Sequence, residues 1–221
     1  MKTSTLIMVS MIAGGSALAL PPTTVDNSTI TNVNTDGKND AQQGSTINSG
    51  VRARGAIIRN STISNENRNV INQAINNSKI NSGIQADGAT IKDSTLRNTN
   101  VDVKNYAKDG STINSGIDAT GKTQLTNATI TNENQQVNNT AINKSTINSG
   151  VSVKDANITN ATLSNVNRQV DNVAINNSHI NSGIKADGAT IKDGAQLHNV
   201  NRDVKNIAVD NSRINSGIKA D

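Results

Sequence analysis

Residues 61–77 read STISNENRNVINQAINN. Ser61, Ile63, Asn65 and Asn67 alternate with Thr62, Ser64 and Glu66, and after a short turn Val70, Asn72 and Ala74 resume the alternation. An extended chain sends successive side chains to opposite faces, so this period of two predicts strands. A helix would need apolar residues three or four apart, and the dense Asn, Ser and Thr disfavour one further.

The stretch is one line of a longer text. The tetrapeptide INSG begins at Ile47, Ile80, Ile113, Ile147, Ile180 and Ile214, at spacings of 33, 33, 34, 33 and 34 residues. Such a period marks stacked repeats. The unit halves again into lines starting at Ser28, Ser45, Ser61, Ser78, Ser94, Ser111, Ala128, Ser145, Ala161, Ser178, Ala195 and Ser212. Their third residue is Ile or Leu in all twelve, from Ile30 to Ile214, so one apolar position recurs throughout. Two kinds of line alternate, STINSGVRARGAIIRN and STISNENRNVINQAINN. Turn residues fall between the strands, as in Ala86-Asp87-Gly88, Lys108-Asp109-Gly110 and Asn76-Asn77.

The expected fold is all-β, a β-solenoid of about twelve coils of 16–17 residues within a 33–34-residue double repeat. At about 4.8 Å per coil this makes a rod on the order of 55 Å long. A single wide coil per 33-residue unit competes, but its interior would want bulkier side chains than Ile, Val and Ala.

The second kind of line carries three inward Asn columns. The first holds Asn32, Asn65, Asn98, Asn132, Asn165 and Asn199; the second Asn34, Asn67, Asn100, Asn134, Asn167 and Asn201; the third Asn39, Asn72, Asn105, Asn139, Asn172 and Asn206. An unpaired buried amide costs about 1–3 kcal/mol, so these are expected to form ladders that fix register. In narrow coils, however, the matching column of alternate lines holds Val51, Ile84, Ile117, Val151, Ile184 and Ile218. Amides would then lie two rungs apart and need other partners.

Composition narrows the function. The chain has 221 residues, no Cys, Trp or Phe, a single Tyr106 and a net charge of +4. Without aromatic rings it does not build one large ordinary core. Its basic residues are scattered among acids, which argues against nucleic acid. His179 and His198 occur singly, so no zinc site is read. Glu66 and Glu133 form no catalytic pair, and the Asp-Gly turns lack a calcium-binding repeat. No catalytic residue, cofactor or metal is expected, and no enzyme.

The opening MKTSTLIMVSMIAGGSALAL joins Lys2, an apolar run and Ala17-Leu18-Ala19. This reads as a secretory signal peptide over residues 1–19, followed by a short segment, 20–27, and the repeat domain, 28–221. The run is too short for a stable membrane span. The expected location is extracellular or at the cell surface.

Ser61, Asn67, Asn72 and Asn77 are separated by five, four and four residues, with Asn72-Gln73-Ala74 within and Asn60 before the serine. The spacing recurs at Ser94, Asn100 and Asn105, and at Ala161, Asn167, Asn172 and Asn177. This resembles the curlin repeat, Ser-x5-Gln-x4-Asn-x5-Gln with Asn-x-Ala in its second strand. Asn stands here where curlins have Gln, the glycines after that Gln are absent, and only every second line fits. The resemblance implies a secreted, curli-like amyloid fibre subunit of a biofilm matrix, with an envelope secretion channel and a nucleator as partners.

The last line, SRINSGIKAD, keeps an intact repeat sequence, and Ser212, Ile214, Ser216 and Ile218 are read as an assembly edge for the first coil of another copy. The function expected is head-to-tail self-assembly into an extracellular amyloid-like fibre. The alternatives are a monomeric adhesin for cells or polysaccharide, and an ice-binding protein using Thr29, Thr46, Thr62, Thr95, Thr112, Thr129, Thr146 and Thr162.

Overall fold

The computed structural model describes residues 6–10, 18–20, 24–43, 46–53, 55–77, 79–110, 112–144, 146–176, 179–211 and 213–220. The described residues are all-β, without helix, and the strands stack in parallel into a solenoid of about six turns. The strand positions are those the alternation predicts; the coil is twice as long. Thr62 pairs with Thr95, and Thr95 with Thr129, so each rung repeats after 33 or 34 residues. The expected twelve narrow coils are therefore replaced by half as many wide ones, each made of both kinds of line. At about 4.8 Å per rung, six turns span on the order of 29 Å.

One coil shows the path. Thr62–Arg68 and Ile71–Ile75 form its share of a long sheet, Lys79–Asn81 of a second, Ile84–Gln85 of a third and Thr90–Lys92 of a fourth. Coils are numbered below from their long-sheet strands, which begin at Thr29, Thr62, Thr95, Thr129, Thr162 and Gln196. In the last three coils the long strand runs unbroken, as in Thr129–Ile142. Corners are made by residues with positive φ, a region Asn, Asp and Gly enter most readily. Asn60, Asp93, Asn127 and Asn160 turn one corner at φ 46–48°.

A kink within the long strand uses the same device. Asn69, Asp102, Gln136 and Gln169 hold φ of 51–54°. Two successive residues there face outward, Arg68 and Asn69, before Val70 turns in. This resets the alternation, so Asn67 and Val70 both reach the interior although three apart. Where a coil carries an extra residue, a corner absorbs it. Ile84 pairs with Ile117 but Thr90 with Gln124, which places the insertion around Gly121-Lys122.

A wide coil raises the question of what fills it. The interior is pinched rather than open: the Ser-Gly of each INSG bends inward onto the long strand. One apolar lobe lies on one side of the pinch, built from columns such as Ile84, Ile91 and Leu96 with Ala86 and Ala89. A smaller lobe stacks Ile80, Ile113 and Ile147 on Ala74, Ala107 and Ala141. A third column, Val70, Val103, Val137 and Val170, fills the kink. Two narrow lobes need no aromatic side chains, so the expectation of bulky residues does not apply.

Ahead of the first coil, Leu6–Ser10 pairs with the start of the long strand, Leu6 beside Thr29 and Ser10 beside Val33. Leu18–Leu20 pairs with Val51–Ala53, and Thr24–Asp26 with Ile57–Arg59.

Candidate functional site

The pinch is where polar chemistry is concentrated. Asn65 and Asn67 both donate from Nδ2 to the Ser82 carbonyl, at 2.9 and 2.6 Å. Asn72 donates to Ser82 Oγ at 2.8 Å, and that hydroxyl donates onward to Asn105 Oδ1 at 3.1 Å. One serine thus ties the three Asn columns of its coil together.

Along the axis the columns are continuous. Asn65 Nδ2 donates to Asn98 Oδ1, Asn98 to Asn132 and Asn132 to Asn165, each at 2.8 Å. Asn67, Asn100, Asn134 and Asn167 form the second ladder at 2.8–2.9 Å. Asn72, Asn105, Asn139 and Asn172 form the third at 2.8 Å. Every amide named in these ladders is buried. The expected two-rung gap disappears because like lines stack on like, leaving each amide one rung from the next.

A fourth ladder escaped the sequence reading. Asn81 donates to Asn48 at 2.8 Å, Asn114 to Asn81 at 2.9 Å and Asn148 to Asn114 at 3.0 Å. Its sense is opposite: each amide donates to the preceding coil, whereas the inner three donate to the following one. Its Oδ1 also accepts the N–H two residues on, as Gly83 to Asn81 at 3.3 Å, which bends the chain inward at INSG. The Asn present in every INSG was the available signal.

The glycine that follows lets the coils meet. A Cβ on Gly50, Gly116, Gly150 or Gly183 would stand 1.9 Å from the carbonyl oxygen of the next glycine in the column. No side chain fits there, whatever its conformation.

The two ends of the inner ladders differ. Asn32 is 1% exposed, and its Oδ1 is the one buried side-chain atom among the described residues with no hydrogen-bond partner. At the other end Asn199 and Asn201 donate to the Ser216 carbonyl at 2.9 and 2.5 Å. Around them the sixth coil's core positions lie open: Ile214 is 44% and Ile218 50% exposed, where Ile180 and Ile184 one coil earlier are buried. Ser216 is also exposed, and Ser212 lies outside the described residues. Ile214, Ser216 and Ile218 thus share one edge.

The remaining expected positions lie on the outside. His179 and His198 are exposed. Glu133 sits on the long sheet's outer face between Arg97 at 3.9 Å and Arg168 at 2.5 Å. Glu66 pairs with Arg68 on the same face. The threonines divide between two sheets: Thr29, Thr62, Thr95, Thr129 and Thr162 form one unbroken column on the long sheet. Thr46, Thr112 and Thr146 belong to a column of the second sheet that includes Lys79 and His179. No group of three or more possible metal ligands occurs among the described residues. No helix among them is long and apolar enough to cross a membrane.

No protein-family model matches the chain, and no curated protein matches it. Among solved structures it is compared with a trypsin-treated variant of QnrB1, described as a plasmid-mediated fluoroquinolone resistance protein. The likeness is 12% identity over 81% of this chain and 92% of that chain, with a TM-score of 0.12. At that score it carries no argument, and the fold rests on the chain's own strand register.

Proposed function

We propose that the protein is an exported structural subunit that stacks head to tail on copies of itself into an extracellular, amyloid-like fibre. The observation that carries this reading is the polarity of the inner ladders. Asn165 and Asn167 each spend one N–H on the Ser182 carbonyl and one on the next coil's amide. Asn199 and Asn201 repeat the bond to serine, and the pattern set by Asn165 and Asn167 assigns their second N–H to an acceptor one rung further on. Asn32 Oδ1 at the opposite end is the acceptor such a donor requires. Stacking the sixth coil of one copy on the first of another would continue the ladders, the glycine column and the apolar lobes in register. Head-to-tail contacts of this kind do not close, so they make filaments.

Leu6–Ser10 occupies the edge of the first long strand, with Val9 beside Asn32. Cleavage of the leader after Ala19 would remove this strand and open the edge to another copy, which ties assembly to export. The curlin resemblance supports the same reading.

Gly217 provides the test. A Cβ there meets nothing within 4 Å, unlike one on Gly183, which meets the Gly217 carbonyl at 1.9 Å. Gly217→Ala is therefore compatible with the folded subunit and incompatible with a glycine stacked upon it. Electron microscopy of residues 20–221 at neutral pH should show filaments for the parent chain and none for Gly217→Ala, with the same β-rich circular dichroism. A parent chain that stays monomeric, or a variant that polymerises equally well, refutes the reading.

The Thr29 to Thr162 column favours ice binding as a second reading, since hydroxyls recur there at every rung. Arg97 and His198 interrupt the column two residues along, where Thr31, Ser64, Thr131 and Ser164 otherwise stand. Thermal hysteresis abolished by Thr129→Lys would support it.

A further inference from the structure

The inward bend at INSG leaves a groove on the outside of the solenoid, running along the axis between the second and third sheets. At its C-terminal half it encloses about 580 Å³. Its floor is the fourth ladder, Asn148, Asn181 and Asn215. One wall stacks Thr146, His179 and Arg213; the other stacks Ser152, Lys185 and Lys219. No lining residue is acidic. Asp187 stands just outside on the same strand, its carboxylate 3.3 Å from Lys185 Nζ. Toward the N-terminus the walls continue through Thr112 and Lys79 on one side and Asp118, Gln85 and Arg52 on the other. Cationic side chains therefore cluster in the last two coils, give way to hydroxyls and amides in the fourth and to Asp118 in the third, and recur singly as Lys79 and Arg52 in the second and first.

We propose that this groove binds a linear acidic polysaccharide, laid parallel to the solenoid axis. The ligand must be long and unbranched, because the groove repeats at every rung instead of closing into a pocket. Arg213, Lys185 and Lys219 complement carboxylates on successive sugars, while Thr146, Ser152 and the Asn floor offer hydrogen bonds to hydroxyls. Single-stranded nucleic acid is the other polyanion of this shape, but it is held largely by stacking of its bases on aromatic rings. The groove lining contains no Phe, Tyr or Trp, and His179 is its single ring. The site lies on the side of the solenoid and owes nothing to the fibre reading, so a monomer should bind as well as a filament.

Isothermal titration of the protein with polygalacturonate oligosaccharides tests the proposal. Binding should be saturable, weakened by salt and absent with neutral dextran. Lys185→Glu with Lys219→Glu should weaken it roughly tenfold or more. The charge-matched pair Lys104→Glu with Lys205→Glu, exposed on the long sheet away from the groove, should leave affinity within about twofold of the parent. Circular dichroism of both variants should match the parent. No binding of polygalacturonate, equal losses in the two variants, or tighter binding of single-stranded DNA would each overturn the assignment.

Discussion

Asn65 Nδ2 lies 2.8 Å from Asn98 Oδ1, although the two residues are 33 apart in the chain. That bond defines the molecule: it joins identical positions of successive coils, and its neighbours above and below repeat it. A buried amide in such a ladder uses both N–H groups and its carbonyl, so little polar capacity is wasted.

Asn100→Ala should be costly out of proportion to its size. The substitution strips a donor from Asn134 Oδ1 and an acceptor from Asn67 Nδ2, and takes one of two donors from the Ser115 carbonyl. With two buried groups orphaned, the expected loss is about 2–4 kcal/mol. Urea unfolding of monomeric protein checks this; an unchanged midpoint would mean the ladder contributes no net stability.

The glycine column predicts a contrast between two identical substitutions. Gly116→Ala places its Cβ 1.9 Å from the Gly150 carbonyl oxygen, so the third and fourth coils must part. Loss of the folded state, or more than about 4 kcal/mol, is expected. Gly217→Ala, whose Cβ meets nothing, should unfold with the parent's midpoint. Equal effects in the two would contradict the stacking.

Asp118 makes stability depend on pH. It faces the groove between Gln85 and Ser152 of the adjoining coils, and burial, then the charge of Asp87, raises its pKa from 3.8 to about 6. Between those values the folded protein holds the proton more firmly than the unfolded chain, so this carboxyl lowers stability as pH rises from about 4 to about 6. Above that window its effect is constant. Asp118→Asn should remove the slope and raise stability at neutral pH by on the order of 1–2 kcal/mol. Urea midpoints across the window check it, and a parent-like slope in the variant would refute it.

Much of this was legible in the chain. The Ile or Leu at the third position of each line is buried from Ile30 to Ile180, and the expected Asn columns lie inside throughout the middle coils. Strand positions, the apolar columns and the ladders all follow from a local period of two. The coil length does not, because alternation reports which side a residue faces and not which residue lies above it. The clue was present: Asn65 and Asn67 recur only in every second line, and a buried amide favours a like neighbour at one rung. The break before Val70 reads as a short turn; that it is a kink within one sheet, made by positive φ at Asn69 and Gln136, was less accessible, since such a residue appears in sequence as an ordinary polar one. The groove was hidden for the same reason as the pinch that forms it, which depends on contact between the INSG serines and the long strand.

The most direct test of like stacking on like is disulfide trapping, for which a chain without cysteine is well suited. Thr129 and Thr162 are Cα partners on the long sheet, whereas Thr146 lies on the second sheet. Rung neighbours about 4.8 Å apart fall within the range a disulfide spans. Thr129→Cys with Thr162→Cys should cross-link rapidly under mild oxidation within one monomer, and Thr129→Cys with Thr146→Cys should not. A disulfide in the second pair and none in the first would restore the narrow coil and remove the ladders on which the account depends.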